Sequence, residues 1–231
     1  MIDDLKVIVC ADSFTTGYLP MLMAQLVEKD FNHELVMMEK PFAWKKKVKA
    51  WLDGLGDHHG KAAFLDAYDV LVFGSPEELY YKISHPLIFS GDRVCWPAMN
   101  AAEHYPPAPT PWQYVNCGGI AGYADDLRDF LYMIYGEMTL VYPPGKFDCE
   151  QWNATKHYLR GKGIIDHECR IFHCMLGDPP GTLAPVEFPD HRWMNTYTGY
   201  LPVFIHGQGK SFKQHPEIFP PLTNYQDWNW Y

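Results

Sequence analysis

Apolar and polar positions alternate along the chain in blocks that are typical of strands and helices in turn. Short β-branched or apolar runs predict strands at residues 7–10, 35–38, 63–65, 87–90, 171–172 and 201–205. Apolar residues at every third or fourth position predict helices at 18–28, 45–55, 125–135 and 149–159. Another helix is expected to start at Ser75, which is followed by a proline and two acids. This alternation predicts a single α/β domain over residues 1–231, with a mostly parallel sheet flanked by helices.

Composition agrees with an ordinary globular chain. Of the 231 residues, 47% are hydrophobic and 20% are charged, which excludes a disordered chain. Apolar runs stay far below the roughly 20 residues of a membrane helix, so no membrane attachment is expected. The net charge of −9 argues against binding nucleic acid through bulk charge. The six cysteines contain no C-x-x-C pair, which predicts free, mostly buried thiols rather than a disulfide framework.

Two aspartates, Asp66 and Asp69, interrupt the apolar sequence between residues 63–65 and 70–73. Side chains three positions apart in a regular strand point to opposite faces, so these carboxylates converge only if the chain turns between them. Ligands of open α/β sheets bind at the carboxyl ends of strands, and two convergent carboxylates suit a hard divalent cation. The alternative is a polar turn in which Asp69 caps a neighbouring segment.

The segment His-Gly-Gln-Gly-Lys, residues 206–210, follows the last predicted strand. Gly207 and Gly209 allow backbone N–H groups to approach an anion closely, and Lys210 adds a positive charge. The alternative is a glycine turn beside a packed histidine, His206. Combined with the two aspartates, this segment supplies the parts of a metal–diphosphate site.

Two further segments contain candidate chemistry. The paired glycines within residues 116–119 either permit close approach of a ligand or form an ordinary tight turn. Asp148, Glu150 and Gln151 lie at the start of a predicted helix, where the helix dipole stabilises acidic residues. For these three residues a structural role therefore competes with a catalytic one.

The chain resembles the glycosyltransferase domain of the procollagen lysyl hydroxylase/glycosyltransferases and, more loosely, the collagen galactosyltransferases. Five blocks, at residues 64–79, 95–97, 116–124, 166–172 and 200–210, keep the order and spacing of the family. The resemblance implies a GT-A fold, a Rossmann-like α/β domain that uses a UDP-sugar and Mn²⁺. Asp12 and Phe14 stand where the family has a Thr-x-Glu pattern at the end of its first strand.

The resemblance also implies roles for individual residues. Asp66, Asp69 and His206 are expected to bind the metal, and two carboxylates with an imidazole suit Mn²⁺ better than Ca²⁺ or Mg²⁺. Tyr68 is expected to stack on the uracil ring, and Trp96 to line the acceptor side. Contacts with the donor and its diphosphate are implied for Lys47, Gly207, Gly209 and Lys210. Contacts with the donor sugar are implied for Asn116, Gly118 and Gly119. Contacts with the reacting groups are implied for Asp148, Glu150 and Gln151.

These features together predict a metal-dependent glycosyltransferase that moves glucose or galactose from a UDP-sugar to an acceptor hydroxyl. The resemblance implies a hydroxylysine-type peptide or its glycan as the acceptor. An alternative acceptor is a hydroxymethylated base in DNA, for which Lys45, Lys46, Lys47 and Lys49 form either a basic patch or a solvated helix face.

A second alternative is a nucleotide-sugar-binding module without catalysis. No basic leader precedes the first predicted strand, so we expect a cytoplasmic protein of viral or bacterial source, located in the host cytoplasm if the source is viral.

Overall fold

The computed structural model describes residues 2–139, 148–187 and 191–222. The strands are β1 (Leu5–Ala11), β2 (His33–Met37), β3 (Lys61–Asp66), β4 (Val70–Val72), β5 (Leu87–Asp92), β6 (Tyr114–Tyr123), β7 (Ile164–Asp166), β8 (Phe172–Cys174), β9 (Leu183–Val186), β10 (Arg192–Asn195) and β11 (Phe204–His206). The α-helices are α1 (Leu19–Glu28), α2 (Trp44–Leu55), α3 (Pro76–Lys82), α4 (Ala124–Glu137) and α5 (Glu150–Leu159), and 3₁₀-helices cover Met99–His104 and Gln208–Gln214. None of the helices in these ranges is both long and apolar enough to cross a lipid bilayer.

Six strands form the central sheet, in the order β2-β1-β3-β6-β5-β7. β1 pairs in parallel with both β2 and β3, and β5 pairs in parallel with β7. β6 runs antiparallel to its two neighbours, β3 and β5. The predicted α/β class with a mostly parallel sheet is therefore confirmed. The carboxyl ends of β1, β3 and β5 meet at one edge, which is the ligand-binding edge of open α/β sheets.

Helices cover both faces of this sheet because successive strand residues point in opposite directions. In β1, Ile8 and Cys10 belong to the cluster that contains Trp51 of α2. Val9 between them belongs to the cluster on the other face, with Leu22 of α1. Full burial of a side chain such as Leu22 stabilises the fold by about 1.5–3 kcal/mol. The two clusters hold the carboxyl edge of the sheet in a fixed position.

A second sheet, in the order β4-β11-β8, brings a distant segment to the end of β3. β11 pairs antiparallel with β4, which sets His206 opposite Val70. β11 also pairs in parallel with β8, which sets His206 opposite Cys174. Because Val70 directly follows Asp69, this register moves the imidazole next to the turn that carries the aspartates.

The glycine segment at residues 116–119 lies inside β6 and is not a turn. Glycine fits this strand because neighbouring side chains occupy the space that a Cβ atom would need. A Cβ at Gly118 would lie 2.0 Å from Cε1 of His206, and one at Gly119 would lie 2.3 Å from Cδ1 of Phe172. Of the two alternatives for this segment, the tight turn is therefore wrong, and the tertiary contacts that select glycine here leave no local signal in the sequence.

The end of β11 and the start of α3 can be compared with the boundaries predicted from the sequence. The predicted strand at 201–205 is shorter and later, so His206 is the last residue of β11 and does not follow the strand. The predicted start of α3 is confirmed, because the Ser75 hydroxyl accepts a hydrogen bond from the Glu78 N–H at 3.2 Å.

Candidate active site

A cavity of about 480 Å³ opens at the carboxyl edge of the central sheet. Its polar lining comes partly from strand ends, because Asp66 ends β3, Asp92 ends β5 and Asn116 lies near the start of β6. Trp44 and Trp96 line another part of it, with ring centroids 6.5 Å apart. Acidic, amide and aromatic groups in one cavity suit a polar ligand that has flat faces, such as a nucleotide or a sugar.

Asp66, Asp69 and His206 form a cluster on this cavity. One potential ligand atom from each residue lies within 4.8 Å of the other two. The turn after β3 is tied to the second sheet, because the Asp69 carbonyl accepts a hydrogen bond from the Gly207 N–H at 2.8 Å. The two carboxylates therefore converge as the sequence suggests, and the side chain of Asp69 faces an imidazole.

The imidazole of His206 points its Nε2 atom at both carboxylates. Nε2 lies 3.2 Å from Asp69 Oδ1 and 3.8 Å from Asp66 Oδ2. It is buried, and within the described ranges it forms no properly aligned hydrogen bond. Burial alone lowers the pKa of His206, but the charges of Asp69 and Asp66 outweigh it and raise the pKa above its usual value.

Lys47 of α2 connects this cluster to a second buried acid. Its ammonium lies 2.5 Å from Asp66 Oδ1 and 2.6 Å from Glu150 Oε1. Burial lowers the pKa of Lys47, but the two carboxylates outweigh it and hold the pKa well above its usual value. Burial raises the pKa of Glu150, and the charge of Lys47 offsets only part of that rise. Glu150 Oε2 is buried without a hydrogen-bond partner among the described residues, so it can accept a proton from a ligand.

Gln151 lines the cavity but already uses both ends of its amide. Its Oε1 accepts a hydrogen bond from the Cys117 N–H at 3.2 Å, and its Nε2 donates to the Trp96 carbonyl at 2.7 Å. Gln151 thereby ties the start of α5 to β6 and to the loop that carries Trp96. This arrangement favours a positioning role for Gln151 over the predicted contact with the reacting groups.

Asp92 and Gln208 are cavity residues that the sequence did not reveal. Asp92 Oδ2 accepts hydrogen bonds from Asn116 Nδ2 at 2.9 Å and from Gln208 Nε2 at 3.1 Å. Asp92 ends a strand as Asp66 does, so the strand-end argument applied to β5 finds it. Gln208 has no comparable signal, because its contact with Asp92 exists only in the folded chain.

Tyr68 lines the cavity with its hydroxyl bound to the loop after β1. The hydroxyl donates to Asp12 Oδ1 at 2.5 Å and accepts from the N–H groups of Asp12 and Ser13 at 2.8 and 3.0 Å. Burial and the hydrogen bond to Asp12 raise the pKa of Tyr68, so the phenol stays neutral. Asp12 is one of the two positions that depart from the family pattern, and here it anchors a tyrosine.

The described structure does not bring Asp148 or Gly119 to the cavity wall. The carboxylate of Asp148 accepts hydrogen bonds from Thr139 N and Oγ1 at 2.6 and 2.8 Å and from Asn153 Nδ2 at 3.1 Å. Gly119 packs against Phe172 in the core. The catalytic role of Asp148 and the sugar contact of Gly119 therefore stay predictions from the resemblance.

Gly207 and Gly209, both in the segment at residues 206–210, differ in their position relative to the cavity. Gly209 lines the cavity with φ at +60°, a conformation that favours glycine. Gly207 lies off the described cavity wall, and its N–H donates to the Asp69 carbonyl, so its contact with a diphosphate stays a prediction from the resemblance. The side chain of Lys210 lies outside the described residues, and its contact with a diphosphate stays a prediction.

The fold and the cavity define the class of the protein. In a structural comparison, 92% of this chain matches 98% of a chain in the "crystal structure of a glycosyltransferase involved in the glycosylation of the major capsid of PBCV-1", with a TM-score of 0.54 and 12% identity. At this identity the match establishes the fold alone, which this chain shares with that protein. Residues 45–231 match the family model described as the PLOD GT domain, so the chain belongs to that family.

Curated relatives agree with this assignment. The uncharacterized protein R699 of Acanthamoeba polyphaga mimivirus is 29% identical over 153 residues, which cover 64% of this chain and 31% of the relative. Human procollagen-lysine,2-oxoglutarate 5-dioxygenase 2 is 31% identical over 155 residues, and the human multifunctional procollagen lysine hydroxylase and glycosyltransferase LH3 is 30% identical over 156. Each human match covers 63% of this chain and 20% of the relative, so the chain spans a minor part of these proteins.

Proposed function

We propose that residues 1–231 form one metal-dependent transferase domain that moves glucose or galactose from a UDP-sugar to a hydroxyl group of the acceptor. The proposed acceptor is a hydroxylysine-type peptide or the glycan on such a peptide. The observation that carries the proposal is the cluster of Asp66, Asp69 and His206, with one ligand atom of each within 4.8 Å. Family membership supports glycosyl transfer, and the cluster supports a divalent cation beside a diphosphate.

The donor atoms of the cluster fit a transition-metal cation. Two carboxylates and one imidazole form a mixed oxygen and nitrogen set, which suits Mn²⁺ better than Ca²⁺ or Mg²⁺. Nε2 of His206 is buried and lacks a hydrogen-bond partner within the described ranges, a situation that a bound cation relieves. When bound, the cation supplies positive charge that stabilises the departing diphosphate.

The donor is assigned to the part of the cavity between Tyr68 and Gly209, both of which line it. The hydroxyl of Tyr68 is engaged with Asp12, so the ring face is the part that can stack on the uracil base. Gly209 and the following Lys210 are proposed to hold the diphosphate. Asn116 and Gly118, also on the cavity wall, are proposed to face the donor sugar.

Glu150 is the acidic residue that we propose as the proton acceptor for the acceptor hydroxyl. Its Oε1 is held by Lys47 at 2.6 Å, while its buried Oε2 has no hydrogen-bond partner in the described part of the chain. Its raised pKa makes the carboxylate a better proton acceptor than an exposed glutamate. Trp96 lines the same cavity and is proposed to lie on its acceptor side.

The alternative acceptor, a hydroxymethylated base in DNA, loses the observation that supported it. Lys47 is buried in the cavity, and Lys45 and Lys46 donate to backbone carbonyl oxygens. Lys49 is paired with Asp53 on the same helix. Lys47 is therefore not available to a phosphate group, and the other three lysines already have partners within the protein.

The test measures UDP release and transfer of radiolabelled sugar from UDP-glucose and UDP-galactose, with Mn²⁺ and with hydroxylysyl or galactosyl-hydroxylysyl peptides. We expect transfer to require Mn²⁺ and to fall by about 100-fold in Asp69→Ala, because a bound cation contributes several kcal/mol to the transition state. Asp53→Ala removes an exposed aspartate away from the cavity and serves as the matched control, with wild-type rates expected.

Two outcomes would contradict the proposal in different ways. Full activity of Asp69→Ala, with metal still required, would contradict the metal site. Tight binding of a nucleotide-sugar with Mn²⁺, but without hydrolysis or transfer to any acceptor, would favour the binding module without catalysis.

A further inference from the structure

A short loop after β8, at residues 175–178, packs beside the glycine that is proposed to hold the diphosphate. Leu176 in this loop lines the cavity, and its Cδ1 atom would lie 3.5 Å from a Cβ atom at Gly209. The backbone of Gly209 has φ at +60°, a conformation that few other residues adopt without strain. Because Leu176 packs at van der Waals distance from this turn, it limits the movement of the turn on that side.

Hydrogen bonds join the same loop to the segment at residues 206–210. The Met175 N–H donates to the His206 carbonyl at 3.0 Å and to Gln208 Oε1 at 3.1 Å. Met175 is buried, so water does not compete for these hydrogen bonds. The loop therefore holds the segment at two successive residues, by hydrogen bonds at Met175 and by packing at Leu176.

Asp178 anchors the other end of the loop with a side chain that is 2% exposed. Its Oδ2 lies 2.6 Å from His173 Nε2, and its Oδ1 lies 3.5 Å from Arg93 Nη1. The Asp178 N–H donates to the Met175 carbonyl at 3.0 Å, which closes the loop into a turn. Since His173 lies in β8 and Arg93 directly follows β5, one carboxylate connects the loop to both strands.

The two partners of Asp178 pack against Trp112, which is fully buried. The guanidinium carbon of Arg93 lies 5.3 Å from the centroid of the Trp112 ring, and the ring centroid of His173 lies 5.2 Å from it. The indole N–H donates to the Cys174 carbonyl at 3.0 Å. The anchor of the loop is therefore part of the packed interior.

We propose that Asp178 is a positioning residue that holds Leu176 beside Gly209, so that the backbone of this turn is preorganised for the diphosphate of the donor. The inference rests on the proposed function, which assigns the diphosphate to Gly209. Within the described ranges Asp178 is not part of the cavity wall, so it acts on a ligand through Leu176. Preorganisation strengthens binding because the cost of ordering the loop is not incurred when the ligand arrives.

The first test compares the binding of uridine and UDP, each with Mn²⁺, by equilibrium dialysis of the radiolabelled ligands. The two ligands differ only in the diphosphate, so the ratio of their dissociation constants isolates its contribution. We expect Asp178→Ala and Leu176→Ala to weaken UDP binding by about 10-fold, the equivalent of one hydrogen bond to a charged group, and to leave uridine binding unchanged. Leu176→Met keeps the volume of the side chain and should bind UDP as the wild type does.

Glu78→Gln is the matched control for a loss of stability. Glu78 is also an acid paired with an arginine, because Arg192 Nη1 lies 2.6 Å from its Oε2. It does not belong to the cavity wall in the described part of the chain. We expect Glu78→Gln to bind both ligands with wild-type affinity.

The second test combines the two changes in one chain and uses UDP alone. If Asp178 acts through Leu176, the double variant should bind UDP no more weakly than Leu176→Ala does, because coupled residues do not contribute additively. Should Asp178→Ala fail to fold, Asp178→Asn, which removes the charge facing Arg93, takes its place in both tests.

The outcomes separate this inference from the proposed function. Unchanged UDP affinity in Leu176→Ala would overturn the inference, and additive losses in the double variant would overturn the positioning role of Asp178. Equal weakening of uridine and UDP, or a loss in Glu78→Gln as large as in Asp178→Ala, would also overturn it, because general destabilisation would then explain the effect. A wild type that binds UDP no more tightly than uridine would instead contradict the proposed function.

Discussion

The ammonium of Lys47 lies 2.6 Å from Glu150 Oε1, and both side chains are buried at the cavity. The same ammonium lies 2.5 Å from Asp66 Oδ1, so one lysine compensates two carboxylates from β3 and α5. A buried charge pair is strongly destabilising when one partner is lost, because the other charge remains without compensation. Lys47 thus couples the stability of the domain to the geometry of the site.

Replacement of this lysine should therefore cost stability as well as activity. We expect Lys47→Met to lower the free energy of unfolding by about 3–5 kcal/mol in urea denaturation, because two acids lose their partner. Adding Glu150→Gln in the same chain should recover part of the loss. Lys49→Met, which breaks an exposed pair with Asp53, should cost far less stability. A Lys47→Met protein as stable as the control would contradict this account.

Local patterns were enough to predict most elements of the sheet and its helices. β1, α1 and α2 follow from apolar spacing, and the start of α3 follows from its cap, since the side chain of Ser75 accepts from the Glu78 N–H. The convergence of Asp66 and Asp69 also had a local cause, because an apolar strand ends there and the chain turns. In each case the signal and the structure lie within a few residues of each other.

Features that depend on distant segments could not be predicted in the same way. Gly118 lies in a strand because the ring of His206 fills the space beside it. The pair of Lys47 with Glu150, and that of Asp92 with Gln208, join residues more than 100 positions apart. No periodicity or cap marks such contacts, and family resemblance could mark Lys47 and Glu150 without relating them to each other.

The neighbouring glycines Gly118 and Gly119 should respond differently to alanine. In Gly118→Ala the new Cβ would lie 2.0 Å from Cε1 of His206, so the imidazole must move and Mn²⁺ affinity should fall by about 10-fold. In Gly119→Ala the Cβ would meet Phe172 in the core instead, at 2.3 Å from Cδ1.

We expect both changes to destabilise the fold by about 1–3 kcal/mol, but we expect only Gly118→Ala to lower the affinity for Mn²⁺. Calorimetry and urea denaturation of the two variants measure the difference. Equal loss of Mn²⁺ affinity in both would argue that backbone distortion of β6, rather than the imidazole, is responsible.

Removal and replacement of the metal should follow the chemistry of the ligands. After chelation we expect transferase activity to be lost, and Mn²⁺ to restore it much more effectively than Ca²⁺. The imidazole of His206 favours a transition metal, whereas Ca²⁺ prefers a shell made of oxygen atoms alone. Activity is measured after each cation is added back at equal free concentration. Equal restoration by Ca²⁺ would argue against a role for the imidazole as a ligand.

Glu78 should link stability to acid pH. Burial raises the pKa of Glu78, but hydrogen bonds from Arg192, at 2.6 and 3.0 Å, and from Lys82 outweigh it and give a pKa below the ordinary 4.5. A carboxyl group with a lowered pKa in the folded state contributes stability above its unfolded pKa, and this contribution is lost as the pH falls through the folded pKa.

We therefore expect Glu78→Gln to lower the free energy of unfolding by about 1.5–3 kcal/mol at neutral pH, the usual contribution of hydrogen bonds to charged groups. The difference from the wild type should shrink as the pH falls below about 4.5. Urea denaturation over this pH range measures both effects. A difference that stays constant into acid would show that packing, and not the carboxylate charge, is lost in the variant.

Tyr68 offers a test of donor binding, because its ring and its hydroxyl have separate tasks in the site. Tyr68→Phe keeps the ring face but leaves the N–H groups of Asp12 and Ser13 without their acceptor, which should destabilise the fold by about 1–3 kcal/mol. Tyr68→Ala also removes the ring, and stacking of a base on an aromatic side chain contributes about 1–3 kcal/mol to binding. We expect the dissociation constant for UDP-glucose with Mn²⁺ to change little in Tyr68→Phe and to rise about 10-fold or more in Tyr68→Ala, as measured by calorimetry. If both variants lose the same affinity, the tyrosine acts by holding the loop after β1, and the stacking assignment is wrong.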